Sequence, residues 1–482
     1  MGGLSAEAQA AAAVGALMSV WWITEATHIA VTALMPLPLF PILGIESAQQ
    51  VAAHYSNHIV FLFFGGFIIA LAMEKWDLHR RIALATIRKV GSRPAMMMLG
   101  FMIATAFLSM WISNTATTMM MLPIAMAVVN QLANLASVNG RNDKETQESV
   151  RVAFGVVLLL GIAYSASIGG VGTIIGSPTT VAFLGFLQET FPEEEPIGFL
   201  DYSLVCVPLV IVFIPIAWLY LCRFGSDIPL NQIEFAGSSD VIDAEQRKLG
   251  SMSLQEKLVL IVSASTGFLW VTRRPMEIGD FTIPGWSMLF ENPAWLQDST
   301  VAMAMAALLF LIPSGSQKSR FLMDWDSVAK GVPWGIMFLF GGGFSLAAAM
   351  SDTGLATWIG QQMSGLSGAP IWVLVPMSCL LAVLLTEMTS NVATVLMLAP
   401  VIAATALEIG VHPYLLLIPS AIMASFAFML PVATPPNAIV FSSGWITIGK
   451  MFRAGVVLDF VALIIVPAMV YVLGSLVFDF GG

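Results

Sequence analysis

Apolar stretches alternate with short polar segments along almost the whole chain. A membrane-spanning helix needs about 20 mainly apolar residues, and stretches of that kind recur here. The pattern predicts ten crossings and two re-entrant helical hairpins, each of which enters and leaves the membrane on one side. The crossings are expected within 9–43 (two short spans), 57–74, 152–186, 203–221, 258–271, 299–313, 332–350, 413–444 and 454–477, and the hairpins within 94–130 and 371–408.

The composition agrees with a membrane protein. The chain has 57% hydrophobic and 10% charged residues, whereas soluble proteins carry about 25% charged residues. These values predict an all-α polytopic membrane protein. A net charge of −10 without a basic patch argues against nucleic acid as a partner. The three cysteines, Cys206, Cys222 and Cys379, show neither a disulfide framework nor metal-ligand spacing.

Positive charge sets the expected orientation, because cytoplasmic loops carry an excess of Lys and Arg. Of the 20 Lys and Arg residues, all but Arg273 and Arg274 fall in segments that this map places inside. The basic stretches 75–93, expected at the membrane surface, and 131–151 flank the first hairpin. We therefore expect the first hairpin to enter from the cytoplasm and the second from outside. By the same reasoning, Met1 and residues 478–482 are expected outside.

A long internal repeat relates the two halves of the chain. Residues 113–123 read SNTATTMMMLP, and residues 390–400, 277 positions later, read SNVATVLMLAP. The same offset relates the glycine-rich segments 63–67 and 340–344. Two related apolar halves of opposite orientation, each interrupted by a polar motif, are typical of secondary transporters. We expect inverted-topology repeats at roughly 40–225 and 310–480.

Two crossings are predicted to be broken. Glycines, hydroxyls and proline fill 165–178, and Thr434-Pro435-Pro436-Asn437 interrupts the segment 413–444. Two hairpin tips and two breaks would then meet near the midplane. Helix N-terminal N–H groups attract anions, and free carbonyls with Ser, Thr and Asn oxygens are ligands of the sort that Na⁺ takes. These segments have no Lys or Arg, so an anionic substrate needs helix dipoles, amides, hydroxyls and bound cations, which predicts cation coupling.

The paired motifs resemble those of the divalent anion:sodium symporter (DASS) family. That family is marked by two Ser-Asn-Thr/Val motifs and two later Thr/Ser-Pro motifs, and Trp21–Ala26 adds to the likeness. The resemblance implies a homodimer in the bacterial plasma membrane, with a scaffold and a transport domain that moves like an elevator. It also implies uptake of C4-dicarboxylates (succinate, malate, fumarate), citrate or sulfate with Na⁺ as coupling ion.

The resemblance assigns site residues to this chain. The first Na⁺ site falls on Ser109, Ser113, Asn114 and the backbone near Gly176, and the second on Thr386, Thr389, Asn391 and the backbone near Ala433. The substrate carboxylates would face the two tips and the two breaks, at Ser113, Asn114, Thr115, Ser177, Pro178, Ser390, Asn391, Thr434 and Pro435.

The chain departs from the family pattern at three places. Val392 replaces the Thr of a second Ser-Asn-Thr, and Thr179-Thr180 stands where many members have Pro-Asn. Members usually have one more span before the Trp-Trp segment, so we expect that helix to be absent from the chain, which begins at Met1.

Five regions are expected, alternating between the two predicted domains. They are scaffold helices and an interfacial helix in 1–93, the first transport-domain half in 94–222, a cytoplasmic linker in 223–257, scaffold helices in 258–370 and the second transport-domain half in 371–482.

Other interpretations remain open at this stage. A Ser-Asn-Thr in an apolar run is often a helix kink. Glu387 is either a proton relay or a structural group, and Asp459 is a relay or a satisfied interfacial acid. An intramembrane hydrolase would need a catalytic motif that the sequence lacks, and a channel would need a continuous polar lining. We therefore predict a transporter rather than an enzyme: a Na⁺-coupled dicarboxylate symporter, with Na⁺-independent exchange, or symport of citrate or sulfate, as alternatives.

Overall fold

The computed structural model describes residues 3–91, 93–134, 136–138, 143–226, 228, 230–235, 238–278, 281–317, 319–363, 365 and 368–478. The expected positions of Met1 and of residues 479–482, and part of the basic stretch 131–151, lie outside the described residues.

Eleven helices form the first half of the described chain. The first hairpin of the sequence prediction corresponds to α7 and α8, and the first broken crossing to α9 and α10. The helices are α1 Ala6–Thr24, α2 Ile29–Ala33, α3 Pro36–Leu43, α4 Ala48–His54, α5 His58–Lys75, α6 Leu78–Val90, α7 Pro94–Ser109, α8 Asn114–Ala133, α9 Lys144–Gly170, α10 Pro178–Thr190 and α11 Phe199–Phe224.

Eleven α-helices also form the second half of the described chain. Here α18 and α19 correspond to the second hairpin, and α20 and α21 to the second broken crossing. The helices are α12 Ser238–Lys248, α13 Leu254–Val271, α14 Asp298–Leu311, α15 Trp325–Gly331, α16 Trp334–Asp352, α17 Leu355–Gln362, α18 Ile371–Thr386, α19 Asn391–Glu408, α20 Tyr414–Met423, α21 Pro435–Phe441 and α22 Ile448–Val477.

Short strands occur only in connecting segments of the described chain, as three antiparallel pairs. They pair β1 Ala136–Val138 with β2 Ile233–Phe235, β3 Met276–Ile278 with β4 Phe281–Ile283, and β5 Pro313–Ser316 with β6 Ser319–Phe321. The predicted linker 223–257 therefore holds one strand and helix α12. The strands leave the all-α class unchanged.

Among the described residues, eight helices are long and apolar enough to cross a membrane. Five shorter apolar helices accompany them, including α7, α18 and α20. A polytopic helical membrane protein is thereby confirmed. The count of ten crossings, the re-entrant path of the hairpins, the inverted repeat and the orientation stay predictions.

Helix α9 forms the centre of the first half. From Ala153 to Gly170 every residue is buried, which is the behaviour of a helix that is apolar on all sides. It packs against α7, α8, α11 and α21. Because α9 ends at Gly170, the break that follows it starts inside the protein.

The basic stretch after the third crossing forms α6, an amphipathic helix. Leu84 and Ile87 are buried, and α6 packs against α7. On its other side Arg81 binds Glu256 at 2.7 Å (Nε to Oε1) and the Gly250 carbonyl at 3.0 Å. These bonds fix α6 to the segment that leads into α13.

Candidate functional site

The first hairpin tip places a hydroxyl between two oxygen acceptors. Helix α7 ends at Ser109, and α8 begins at Asn114 with Ser113 as its N-cap. The buried Ser109 Oγ lies 2.6 Å from Asn114 Oδ1 and 2.8 Å from the Ala166 carbonyl oxygen of α9. A hydroxyl has one proton, so it donates to one of these oxygens at a time. The other oxygen keeps a lone pair that a cation could take.

The first broken crossing brings more backbone oxygens to the same place. A methyl group built on Gly176 would lie 2.5 Å from the Gly170 carbonyl oxygen and 2.6 Å from that of Ser109. One built on Gly170 would lie 2.2 Å from Asn114 Oδ1. Glycine is therefore required at both positions, because any side chain would fill the space between these oxygens. The structure brings Ser109, Asn114 and Gly176 together, as the sequence resemblance implies.

The first break is fixed to the hairpin by a hydroxyl. Thr173 Oγ1 donates to the Met110 carbonyl and accepts from the Gly176 N–H at 3.3 Å. Ser177 then caps α10, since its Oγ accepts from the Thr179 N–H at 3.3 Å. Helices α8 and α10 thus begin at predicted site residues, and the N-terminal end of each helix carries partial positive charge.

The second hairpin tip repeats the bonding of the first. The buried Thr386 Oγ1 lies 2.8 Å from Asn391 Oδ1 and 2.6 Å from the Ala424 carbonyl oxygen. Thr386 and Asn391 stand 277 residues after Ser109 and Asn114. The same hydroxyl, amide and carbonyl therefore meet at both tips.

Thr389, also assigned to the second cation site, and Ser390, assigned to the substrate site, do not hydrogen-bond to the Thr386–Asn391 cluster. Thr389 Oγ1 lies 2.8 Å from Thr394 Oγ1 and 3.1 Å from the Leu385 carbonyl. Neither contact involves Asn391. Ser390 occupies the N-cap position of α19 without a capping hydrogen bond from its side chain.

The second break, between Met423 and Pro435, is braced by two side chains. The buried Glu387 accepts from the Met429 N–H at 2.8 Å (Oε1) and from the Leu430 N–H at 3.0 Å (Oε2). Asn437 Nδ2 donates to the carbonyls of Ala427 (2.9 Å) and Leu430 (3.0 Å). These bonds satisfy backbone groups that a broken helix leaves without partners. Thr434 Oγ1 accepts from the Asn437 N–H at 3.3 Å, so Thr434, beside the buried Ala433, caps α21.

Crosswise packing connects each hairpin to the broken crossing of the other half. Helix α8, the second helix of the first hairpin, packs against α21, which follows the second break. Helix α19, the second helix of the second hairpin, packs against α10, which follows the first break. Helix α8 also packs against α9, which precedes the first break, and α19 packs against α20, which precedes the second break. Thr115, Pro178 and Pro435, the remaining predicted substrate residues, lie in the first turns of α8, α10 and α21.

Several residues of this region escaped the sequence analysis. Ala166 and Ala424 act through backbone carbonyls, so their side chains give no signal. Asp459 was considered only as a relay or an interfacial acid. It is buried in α22 and faces Glu387. Asn437 had a signal, because it follows Thr434 within the motif that marked the second break.

The electrostatics of the region are unusual for an anion site. Among the described residues of the two tips and two breaks, Glu387 is the acidic side chain, and Lys and Arg are absent. Outside the spans, the ammonium group of Lys75 lowers the pKa of Asp324 through a hydrogen-bonded ion pair. The site itself offers hydroxyl, amide and carbonyl oxygens together with helix N-termini, which suits a cation and an anion bound side by side.

The fold and the paired breaks are those of a polytopic membrane transporter. The chain belongs to the family described as sodium:sulfate symporter transmembrane region, which matches residues 2–478. This confirms the resemblance to the divalent anion:sodium symporters and the interpretation as a transporter of the plasma membrane, not an enzyme.

Curated relatives and a solved structure agree with this assignment. The chain is 40% identical over 457 residues to the sodium-dependent dicarboxylate transporter SdcS of Staphylococcus saprophyticus, covering 95% of this chain and 84% of the relative. It is 40% identical over 455 residues to SdcS of Staphylococcus aureus, covering 94% and 84%. The crystal structure of the YdaH transporter of Alcanivorax borkumensis matches with a TM-score of 0.57 at 12% identity, covering 99% of this chain and 100% of that one. At that identity the likeness concerns the fold alone.

Proposed function

We propose that the protein is a secondary transporter that couples uptake of a C4-dicarboxylate, such as succinate, malate or fumarate, to Na⁺. The observation that carries the proposal is the pair of hydroxyl–amide–carbonyl clusters, at Ser109–Asn114–Ala166 and Thr386–Asn391–Ala424, in a region without Lys or Arg. The relatives named sodium-dependent dicarboxylate transporters support the choice of ion and substrate.

Each cluster serves as a cation site in this proposal. The first Na⁺ would take oxygens from Ser109, Ser113, Asn114 and the backbone near Gly176. The second would take oxygens from Thr386, Thr389, Asn391 and the backbone near Ala433. Asn114 and Asn391 have a double role, because the side-chain oxygen faces the cation while the NH₂ group is free to donate to a carboxylate.

The substrate would lie between the two tips. Its carboxylates would accept from hydroxyls and N–H groups of Ser113, Asn114, Thr115, Ser390 and Asn391, and would approach the breaks at Ser177, Pro178, Thr434 and Pro435. Two bound cations would offset the two negative charges of the dicarboxylate, which no basic side chain of the region does. Cation binding therefore favours anion binding, and this coupling is what symport requires.

The larger movements are also part of the proposal. Residues 1–93 and 258–370 would form the scaffold, 94–222 and 371–482 the transport domain, and 223–257 the linker. The transport domain would carry the site across the membrane by an elevator movement within a homodimer. The crosswise packing of α8 on α21 and of α10 on α19 supports one mobile unit, because it joins the two halves of the transport domain.

The test is uptake of labelled succinate by proteoliposomes. We expect saturable uptake when Na⁺ is present outside, and none when choline replaces Na⁺. Uptake that persists in choline and rises with succinate inside the vesicles would indicate exchange instead. Competition by unlabelled sulfate or citrate stronger than that by malate and fumarate would assign one of those anions as the substrate.

A further inference from the structure

We propose that an outer latch holds the proposed transport domain to the proposed scaffold and must open in each transport cycle. The outer latch consists of His54, Asn57, His58, Gln188 and Glu189. This inference rests on the proposed function and its domain division, and it adds a specific set of contacts that would control the movement.

The last turn of α10 is held at two successive residues. Asn57 Nδ2 donates to Glu189 Oε1 at 2.7 Å, and His54 Nδ1 lies 3.1 Å from Glu189 Oε2. Both oxygens of the Glu189 carboxylate are thus engaged. The preceding residue, Gln188, places its Nε2 2.7 Å from His58 Nε2. All three partners lie where α4 ends and α5 begins.

The partners of α10 are themselves fixed to the scaffold side. His54 Nε2 lies 3.3 Å from Glu46 Oε2, and His58 Nδ1 lies 3.4 Å from Ser299 Oγ in α14. The side chains of His54 and Glu189 are 16% and 19% exposed. The latch therefore joins α10 to a braced corner in a partly shielded place, where hydrogen bonds are stronger than in water.

The interface next to the latch is apolar and lined by glycine. A methyl group on Gly185 of α10 would lie 1.8 Å from the Phe344 ring of α16, and one on Gly343 would lie 2.4 Å from Leu396 of α19. Apolar contacts are non-directional, so one set can replace another as two surfaces slide. Hydrogen bonds require narrow geometry, and a partly buried group that loses its partner is costly. Polar contacts such as those of the latch are therefore expected to resist sliding more than the apolar surface does.

Other polar contacts between the two proposed domains lie close to the latch. Arg274 Nη1 lies 2.9 Å from Glu195 Oε1, and Asp298 Oδ2 accepts from the Phe199 N–H at 2.8 Å. They hold the loop that follows α10 and the start of α11. Among the described residues, the polar side-chain contacts of α10 across the proposed domain boundary are those of Gln188 and Glu189, so opening of the latch frees its last turn.

A reversible cross-link across the latch tests the proposal. In protein with Cys206, Cys222 and Cys379 replaced by alanine, Asn57→Cys and Glu189→Cys are combined and joined by a short bis-methanethiosulfonate reagent. We expect Na⁺-driven succinate uptake in proteoliposomes to fall to the level of empty vesicles and to return on reduction. Undiminished uptake by the fully cross-linked protein would overturn the proposal.

A matched pair within the scaffold serves as the control. Ala30→Cys with Gly335→Cys joins two residues of the proposed scaffold that lie outside the latch, where a methyl group on Gly335 would lie 3.3 Å from that of Ala30, so its cross-link is expected to leave uptake unchanged. Spin labels at positions 57 and 189 separate failure of the latch from failure of the symport proposal, because the distance measurement needs no transported substrate. Two distance populations support an opening latch, and a single short distance under all conditions overturns it.

Discussion

The two hairpin tips build the same cluster but support it in different ways. At the first tip Ser109 lies between Asn114 and the Ala166 carbonyl, and at the second Thr386 lies between Asn391 and the Ala424 carbonyl. The first cluster is enclosed by glycines, at which no side chain fits. The second is braced by the carboxylate of Glu387 and the amide of Asn437.

The difference is clearest at one pair of related positions. Met110 stands 277 residues before Glu387. The Met110 carbonyl accepts a hydrogen bond from Thr173 of the first break, whereas the Glu387 side chain accepts two N–H bonds from the second break. One break is therefore fixed through a backbone carbonyl and a hydroxyl, and the other through an acidic side chain. The two proposed cation sites thus share their ligand types although the residues around them differ.

The largest expected effect on transport comes from removing the Asn side-chain amide that both hairpin tips contain. Asn114→Ala and Asn391→Ala should each abolish transport, since each removes one proposed cation ligand and one carboxylate donor. A lost buried hydrogen bond costs about 1–3 kcal/mol, which is about five- to 150-fold in affinity, and each variant loses at least two interactions. Labelled succinate uptake by folded, reconstituted protein measures this. Wild-type uptake by either variant would show that its tip is not part of the site.

The next largest effect should differ between the two halves of the molecule. Glu387→Gln keeps the size of the side chain but turns one acceptor into a donor that faces an N–H group. The unsatisfied N–H and NH₂ pair should cost about 1–3 kcal/mol. We therefore expect the Na⁺ concentration for half-maximal uptake to rise by about five- to 150-fold. Met110→Leu at the related position, where only the backbone is used, is the control and should leave that concentration unchanged. Equal effects of both changes would contradict the difference between the breaks.

A third change tests the glycine enclosure of the first cluster. Gly170→Ala places a methyl group 2.2 Å from Asn114 Oδ1 and should move that oxygen away from the site. We expect weaker Na⁺ activation of uptake by about tenfold, the effect of about 1.4 kcal/mol. The control is Gly449→Ala in α22, where a methyl group meets nothing within 4 Å. If the two variants take up succinate equally at low Na⁺, the enclosure has no role in cation binding.

The smallest effect is expected when the hydroxyl is kept. Thr386→Ser makes the second tip like the first and removes one buried methyl group, worth about 0.8 kcal/mol of stability. Uptake should stay within about twofold of the wild type, since the hydroxyl still reaches Asn391 and the Ala424 carbonyl. Thr386→Val, of similar shape but without a hydroxyl, should lose most uptake. Similar activity of the serine and valine variants would rule out the hydroxyl as a ligand.

The sequence predicted much of this arrangement because its signals are local. The polar motifs at Ser113 and Ser390 predict helix ends in apolar runs, and the structure starts helices directly after both. The proline and glycine segments likewise predict the breaks. The family and the transporter class followed from the pairing of these motifs and are confirmed.

Other features could not be predicted, because they depend on contacts between distant segments. The carbonyls of Ala166 and Ala424 join the clusters through the backbone, so their side chains carry no information. The two N–H bonds of Glu387 and the latch at Glu189 each need a partner that only the folded chain brings close. Amphipathic α6 was predicted from its pattern, but its bond to Glu256, 175 residues away from Arg81, was not.

The most direct test of two cation sites is the ratio of Na⁺ to dicarboxylate carried. Radioactive sodium and labelled succinate are measured together as initial uptake into proteoliposomes that contain the wild-type protein. Two independent clusters predict that at least two Na⁺ ions enter with each succinate, and that Na⁺ activates uptake with a sigmoidal dependence. A ratio of one, or succinate uptake without Na⁺ entry, would contradict the account.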